Sequence, residues 1–175
     1  CARHSLPNAR GMTELPSAVA EVVDLLASLP GTNAVVLGGS HVLGSADAHS
    51  DWDLGVYYRG TIDLTALAAR GTVHPPGSWG RIMNGGAWLQ CGNHKVDVIL
   101  RDLDVVEQWT QRAEHGDFEV DSLLGYLGGI PTYTLTAELA SCRVLHGDMP
   151  AAPMYPAKLA TRGPAVWHLC QHLQP

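Results

Sequence analysis

The chain of 175 residues has a single phenylalanine, only 16% charged residues, and 11 Lys and Arg against 17 Asp and Glu, for a formal net charge of −6. No basic cluster is present, so the sequence has no electrostatic footprint for gripping a phosphate backbone, and a nucleic-acid partner is disfavoured. The four cysteines, Cys1, Cys91, Cys142 and Cys170, are far apart. That spacing lacks the close pairs of a structural zinc site and suits free thiols in a reducing cytoplasm. No apolar run approaches the roughly 18 residues of a membrane helix, and the first thirty residues have no signal-peptide pattern. The expectation is a cytoplasmic protein with no membrane partner.

What the chain does have is 46% apolar content spread along its length, with 19 glycines and 11 prolines punctuating it. This suits one globular domain. Residues 1–11 read as a leader or scar ahead of Met12, residues 12–150 as the domain, and residues 151–175 as the truncated start of a C-terminal helical region.

Ser17 reads as the N-cap of an amphipathic helix, with Val19, Val22, Val23, Leu26 and Leu29 at helical spacing until Pro30. "AVVL", Ala34 to Leu37, suits a buried strand, followed by glycines, a helical turn from Ser40 and a second strand from Asp51 to Tyr58. The stretch from Gly71 to Gly80 has no clear pattern. "GGAWLQCGNHKVDVILRD" reads as a hairpin turning at Gly92-Asn93. Asp102 and Asp104 open a helix to about His115 as cap and dipole residues, with further helices over Glu119–Leu127, Tyr133–Ser141 and from about Pro156. The fold class expected is α+β, a mixed sheet with helices packed against it.

Within this frame, "GGSHVLGSADAHSDWDL" places Asp51 and Asp53 one residue apart. Alternation along a strand projects both to one face and sends Trp52, Leu54 and Val56 to the other. Two carboxylates so close raise each other's pKa, and a divalent cation removes that repulsion. Mg²⁺ takes oxygen ligands, commonly one or two carboxylates plus substrate phosphates, so the pair is a candidate seat for Mg²⁺ or Mn²⁺. Upstream, Gly38, Gly39 and Ser40 follow a strand and lead into a helical turn, where backbone N–H groups and a hydroxyl approach a phosphate closely. Asp97, in "HKVDVIL", is an isolated aspartate on a mostly apolar strand, costly there without a partner or a metal.

Leu37, Gly38, Gly39, Ser40, a ten-residue gap, then Asp51, Trp52, Asp53 and Leu54 resemble the signature of the nucleotidyltransferase superfamily that includes DNA polymerase beta. "NGGAWLQ", "VDVILRDLD" and "FEV" resemble its bacterial antibiotic-type branch, the likeness running from about Leu25 to Gly147. The resemblance implies a nucleotidyltransferase core that moves a nucleoside monophosphate from an NTP, ATP foremost, to a hydroxyl of a small acceptor such as an antibiotic. By the same resemblance Asp51 and Asp53 hold two Mg²⁺ ions, Asp97 binds the acceptor-side ion and takes the proton, and Gly38, Gly39 and Ser40 seat the phosphates.

Where many relatives carry Arg or Lys after the Gly-Gly-Ser, this chain has His41 and Val42, which leaves Arg59, Arg81 or Lys95 for the triphosphate. Two other readings stand beside this one: a regulatory or antitoxin-type protein on the same fold, working through a protein partner, and a glycosyltransferase with its own Asp-x-Asp site, in which the Gly-Gly-Ser has no task. His168 and His172 lack the glutamate of a zinc-protease helix. Trp79, Trp88 and Trp109 are expected in the core rather than stacked on a ligand.

Overall fold

The computed structural model describes residues 14–47, 49–122, 129–151, 153, 154 and 156–159. The expectations for residues 1–11 and for His168 and His172 lie outside them, and the one for the C-terminal helix largely so.

The chain is an α+β fold around a mixed six-stranded sheet. Helix α1 (Ser17–Ser28) leads into β1 (Thr32–Leu37), a short helix α2 (Gly39–Leu43) and β2 (Trp52–Tyr58). A short α3 (Thr65–Ala68), β3 (Gly71–His74) and α4 (Gly80–Met83) precede the hairpin β4 (Gly85–Cys91) and β5 (His94–Asp102). Helix α5 (Leu103–Glu114) follows, then β6 (Val120–Asp121), β7 (Ile130–Pro131), α6 (Thr134–Ser141) and β8 (Arg143–Gly147). The order in the main sheet is β3-β4-β5-β2-β1-β8, and β6 and β7 form a separate small ribbon. Among the described residues, only β2 and β5 run parallel.

Alternation along the strands divides the interior into two cores. One face carries Val35, Leu37, Leu54, Val56, Val96, Val98 and Leu100 against Val19, Val22 and Leu26 of α1. Among the described residues, the opposite face is covered over only part of its length, by Ile82 of α4, Val106 and Trp109 of α5, and Leu135 and Leu139 of α6 around Tyr57 and Val36. Its other part is polar and half-open: Asp53, Asp97 and Lys95 are intermediate or exposed there.

Several boundaries differ from the sequence reading. Ser17 is the first residue of α1 and Pro16 stands at the N-cap, with no side-chain cap bond; a proline lacks only an N–H that the helix start leaves unused. Asp51 lies just ahead of β2 rather than inside it. The unpatterned stretch contains β3, an edge strand too short and exposed for alternation to show. Glu119–Leu127 does not begin as a helix, because residues 120 and 121 pair with β7 while Glu119 exchanges bonds with Thr132. Asp121 is also committed, accepting the Arg81 and Ile82 N–H groups at 3.1 Å each. Tertiary partners override local helix preference here, and the rest of that predicted helix, residues 123–128, lies outside the described residues. Strand β8 has no counterpart in the sequence reading.

Candidate active site

The site begins with a register. Strand β2 pairs β5 with Asp53 directly beside Asp97, and neighbouring strands lie about 4.8 Å apart. The two carboxylates therefore project side by side on the half-open face. On the other flank of β2, Gly38 N–H donates to the Asp53 carbonyl at 2.9 Å, which sets the Gly-Gly-Ser next to the same aspartate. Asp51 precedes Asp53 by two residues, and its charge acts on both Asp53 and Asp97. All six residues that the sequence singled out thus belong to one region.

Electrostatics mark the region too. Burial, then the charges of Asp97 and Asp51, push the Asp53 carboxyl above its ordinary value, against a smaller opposing effect of His41. The Asp97 carboxyl is likewise raised, by burial first and Asp51 next, while Lys95 opposes it. Among the described residues, none of the three carboxylates accepts a hydrogen bond from the protein.

Gly39 is in contact with this arrangement. Its φ is +61°, and a Cβ there would overlap the Asp53 carboxylate. The glycine is therefore required by Asp53 itself, whether or not a phosphate binds. The His41 ring, beside the site, is engaged by neighbours. It stacks on Trp52 at 3.7 Å between centroids, and its Nε2 lies 3.4 Å from the Ser50 carbonyl.

The other cations divide. Arg59 is bound to Asp104 and Glu107 at the far end of β2, roughly 20 Å of strand away from Asp53. Arg81 pairs with Glu119 and Asp121. Lys95 is left as the one of the three that shares a strand face with Asp97.

The donor set, three carboxylates in mutual repulsion without protein donors, fits a hard divalent cation in kind. Their present placement is not convergent: among the described residues no group of three or more His, Cys, Asp and Glu side chains is disposed to hold a metal ion. Electrostatic reach is longer than ligation distance, which reconciles the two observations.

Two features escaped the sequence. A cavity of about 300 Å³ opens beside Gly39 and Asp53 and runs under α6, lined by Val36, Ile99, Tyr57 and Cys142. Its floor is a nearly buried Arg101, 2% exposed, whose Nε and Nη2 donate to the two Glu138 oxygens at 2.8 Å each. Nη1 of the same guanidinium reaches the Ile82 and Met83 carbonyls at 3.2 Å. No spacing in the sequence relates residue 101 to residue 138; only the packing of α6 does. The second feature is Trp88, expected in the core and found 52% exposed. Trp109, by contrast, is buried as expected, with the Arg112 guanidinium 4.3 Å from its ring centroid.

No protein-family model and no curated protein matches the chain. Among the described residues no helix is long and apolar enough to cross a membrane, and Cys91 and Cys142 are free thiols.

Proposed function

We propose that the chain has a nucleotidyltransferase core and transfers a nucleoside monophosphate from an NTP, ATP foremost, to a hydroxyl of a small acceptor, releasing pyrophosphate. The observation that carries this reading is the pairing of Asp53 with Asp97 on an open sheet face, with Asp51 in electrostatic reach of both. A helix-packed sheet has no structural use for three unpaired carboxylates there, since like charges side by side destabilise the fold.

Asp51, Asp53 and Asp97 would hold Mg²⁺, which would neutralise charge on the triphosphate and on the departing pyrophosphate. The chain's own groups do the rest. The acceptor hydroxyl oxygen attacks the α-phosphorus and forms the new P–O bond. The bond from that phosphorus to the bridging oxygen breaks, and its electron pair leaves with pyrophosphate. The hydroxyl proton goes to Asp97, which the strand register sets beside Asp53. Gly38 fixes the loop beside Asp53 through its N–H bond to the Asp53 carbonyl, and the Gly39 and Ser40 N–H groups and the Ser40 hydroxyl would face the β- and γ-phosphates there. The cavity beside Gly39 gives the nucleotide a recess.

One observation favours the regulatory reading: His41 is stacked on Trp52, and Arg59 and Arg81 are engaged elsewhere, so among the described residues few cations face the phosphate region. The experiment that decides is nucleotide titration alongside pyrophosphate release, in wild type and Asp97→Asn. The catalytic reading expects near-normal ATP affinity in the variant and turnover lowered about 10²-fold or more. Equal turnover would remove Asp97 from the chemistry, and binding without any pyrophosphate release in the wild type would establish the regulatory reading in its place.

A further inference from the structure

We propose that Trp88 is the platform on which the acceptor lies, a hydroxyl-bearing ring compound whose flat apolar face stacks on the exposed indole while its hydroxyl reaches Asp97. The proposal rests on the nucleotidyl-transfer reading above. Its basis is a row of residues crossing the sheet. Thr72 of β3 pairs with Trp88 of β4, Trp88 with Asp97 of β5, and Asp97 with Asp53 of β2. The Gly38 N–H bonds to Asp53 beyond it. Directly paired residues share a sheet face, with Cβ atoms about 5 Å apart. The indole is therefore the immediate neighbour of Asp97 on the side away from Asp53 and the Gly-Gly-Ser.

That side is the one the reaction requires. In-line displacement at phosphorus puts the attacking and leaving oxygens on opposite sides. With pyrophosphate departing toward Gly39 and Ser40, the attacking hydroxyl enters from the Trp88 side.

The indole is also held in place. The His74 ring meets it edge-on at 4.5 Å between centroids, and Trp79 lies 5.4 Å away at 31°. Trp79 in turn occupies the space over Gly86, where a Cβ would come within 2.7 Å of its ring. The cluster supports Trp88 and still leaves 52% of it exposed. A large aromatic face held rigid in solvent beside a carboxylate costs hydration and contributes little to the core. A ring ligand stacked on it turns that cost into binding.

The test uses phenyl β-glucoside and methyl β-glucoside as ring probes and glycerol as a ringless hydroxyl control. Pyrophosphate release from Mg²⁺-ATP is measured in wild type, Trp88→Ala and Trp88→Phe, alongside probe binding by tryptophan fluorescence without nucleotide. Expected are quenching by phenyl β-glucoside in wild type that Trp88→Ala removes, and a ring-probe KM about tenfold higher in Trp88→Ala, partly restored in Trp88→Phe. ATP affinity should stay unchanged, and turnover with glycerol should fall much less than turnover with the ring probes. An equal loss of ATP affinity in Trp88→Ala would assign the indole to the nucleotide base and overturn the proposal. Unchanged ring-probe KM and unchanged quenching would overturn it as well, while leaving the reaction intact. Quenching through Trp88 with no pyrophosphate release from any hydroxyl would sustain the ring subsite and defeat the reaction.

Discussion

Asp53 and Asp97 each sit in a fold that disfavours their charged form. A carboxyl whose pKa is raised on folding binds its proton more tightly folded than unfolded. Its penalty is absent below the unfolded value near 3.8, grows as pH rises through the folded value, and is complete above it. Asp53→Asn removes one such charge and relieves its neighbours. The variant should therefore melt a few degrees above the wild type at pH 7 without metal, with the gain shrinking as pH falls toward 4. Mg²⁺ should stabilise the wild type and have little effect on the variant, because the cation and the substitution relieve the same repulsion. Thermal scans across pH with and without Mg²⁺ check this; a gain independent of pH would mean that charge is not its cause. Gly39 would be an ambiguous probe of the same chemistry, because any side chain there collides with Asp53 before a phosphate is involved.

At the scale of elements, the Arg101 to Glu138 pair joins β5 to α6, while the same guanidinium holds α4 through two carbonyls. Glu138→Ala would leave a nearly buried cation unpaired. The expected loss of stability is about 2–3 kcal/mol, below the range of a wholly buried pair because the glutamate is 35% exposed. Denaturant unfolding measures it, and a loss near zero would show that α6 is held by Leu135 and Leu139 alone. This pair also marks the limit of what the sequence discloses. Helix α1, strand β2 and the β4–β5 hairpin were legible because their apolar periods are strong and the Gly92-Asn93 turn is distinctive. That turn alone places Trp88 opposite Asp97 by counting outward from Cys91 and His94, so the platform could have been found in the sequence. Edge strands β3 and β8 are short and largely solvent-facing, which erases alternation. The Asp53 to Asp97 register depends on a parallel pairing that skips over α3, β3, α4 and β4. Local spacing cannot encode such a pairing, so the juxtaposition of the two aspartates is not legible from the residues around either one.

For the molecule as a whole, the asymmetry of its two faces decides where ligands can act. One face is sealed by α1 over a continuous apolar core; among the described residues the other is sealed only where α4, α5 and α6 pack, and the acidic row crosses the remainder. Between the two lies α2, five residues long with no buried side chain and with Leu43 70% exposed. So short a helix is unstable alone and has little tertiary packing to hold it, so its amide hydrogens should exchange rapidly in the free protein. If the triphosphate lies along Gly38, Gly39 and Ser40, Mg²⁺-ATP should slow exchange in peptides spanning residues 38–43, 52–55 and 95–99, while peptides from α1 change little. Hydrogen exchange followed by mass spectrometry separates the outcomes. Protection spread evenly over both faces would mean only global stabilisation, and protection confined to α5 and α6 would move the nucleotide to the covered half of the sheet. Protection limited to the acidic row and α2 would place the ligand on the open half, with α1 acting only as the scaffold packed on the opposite face of the sheet.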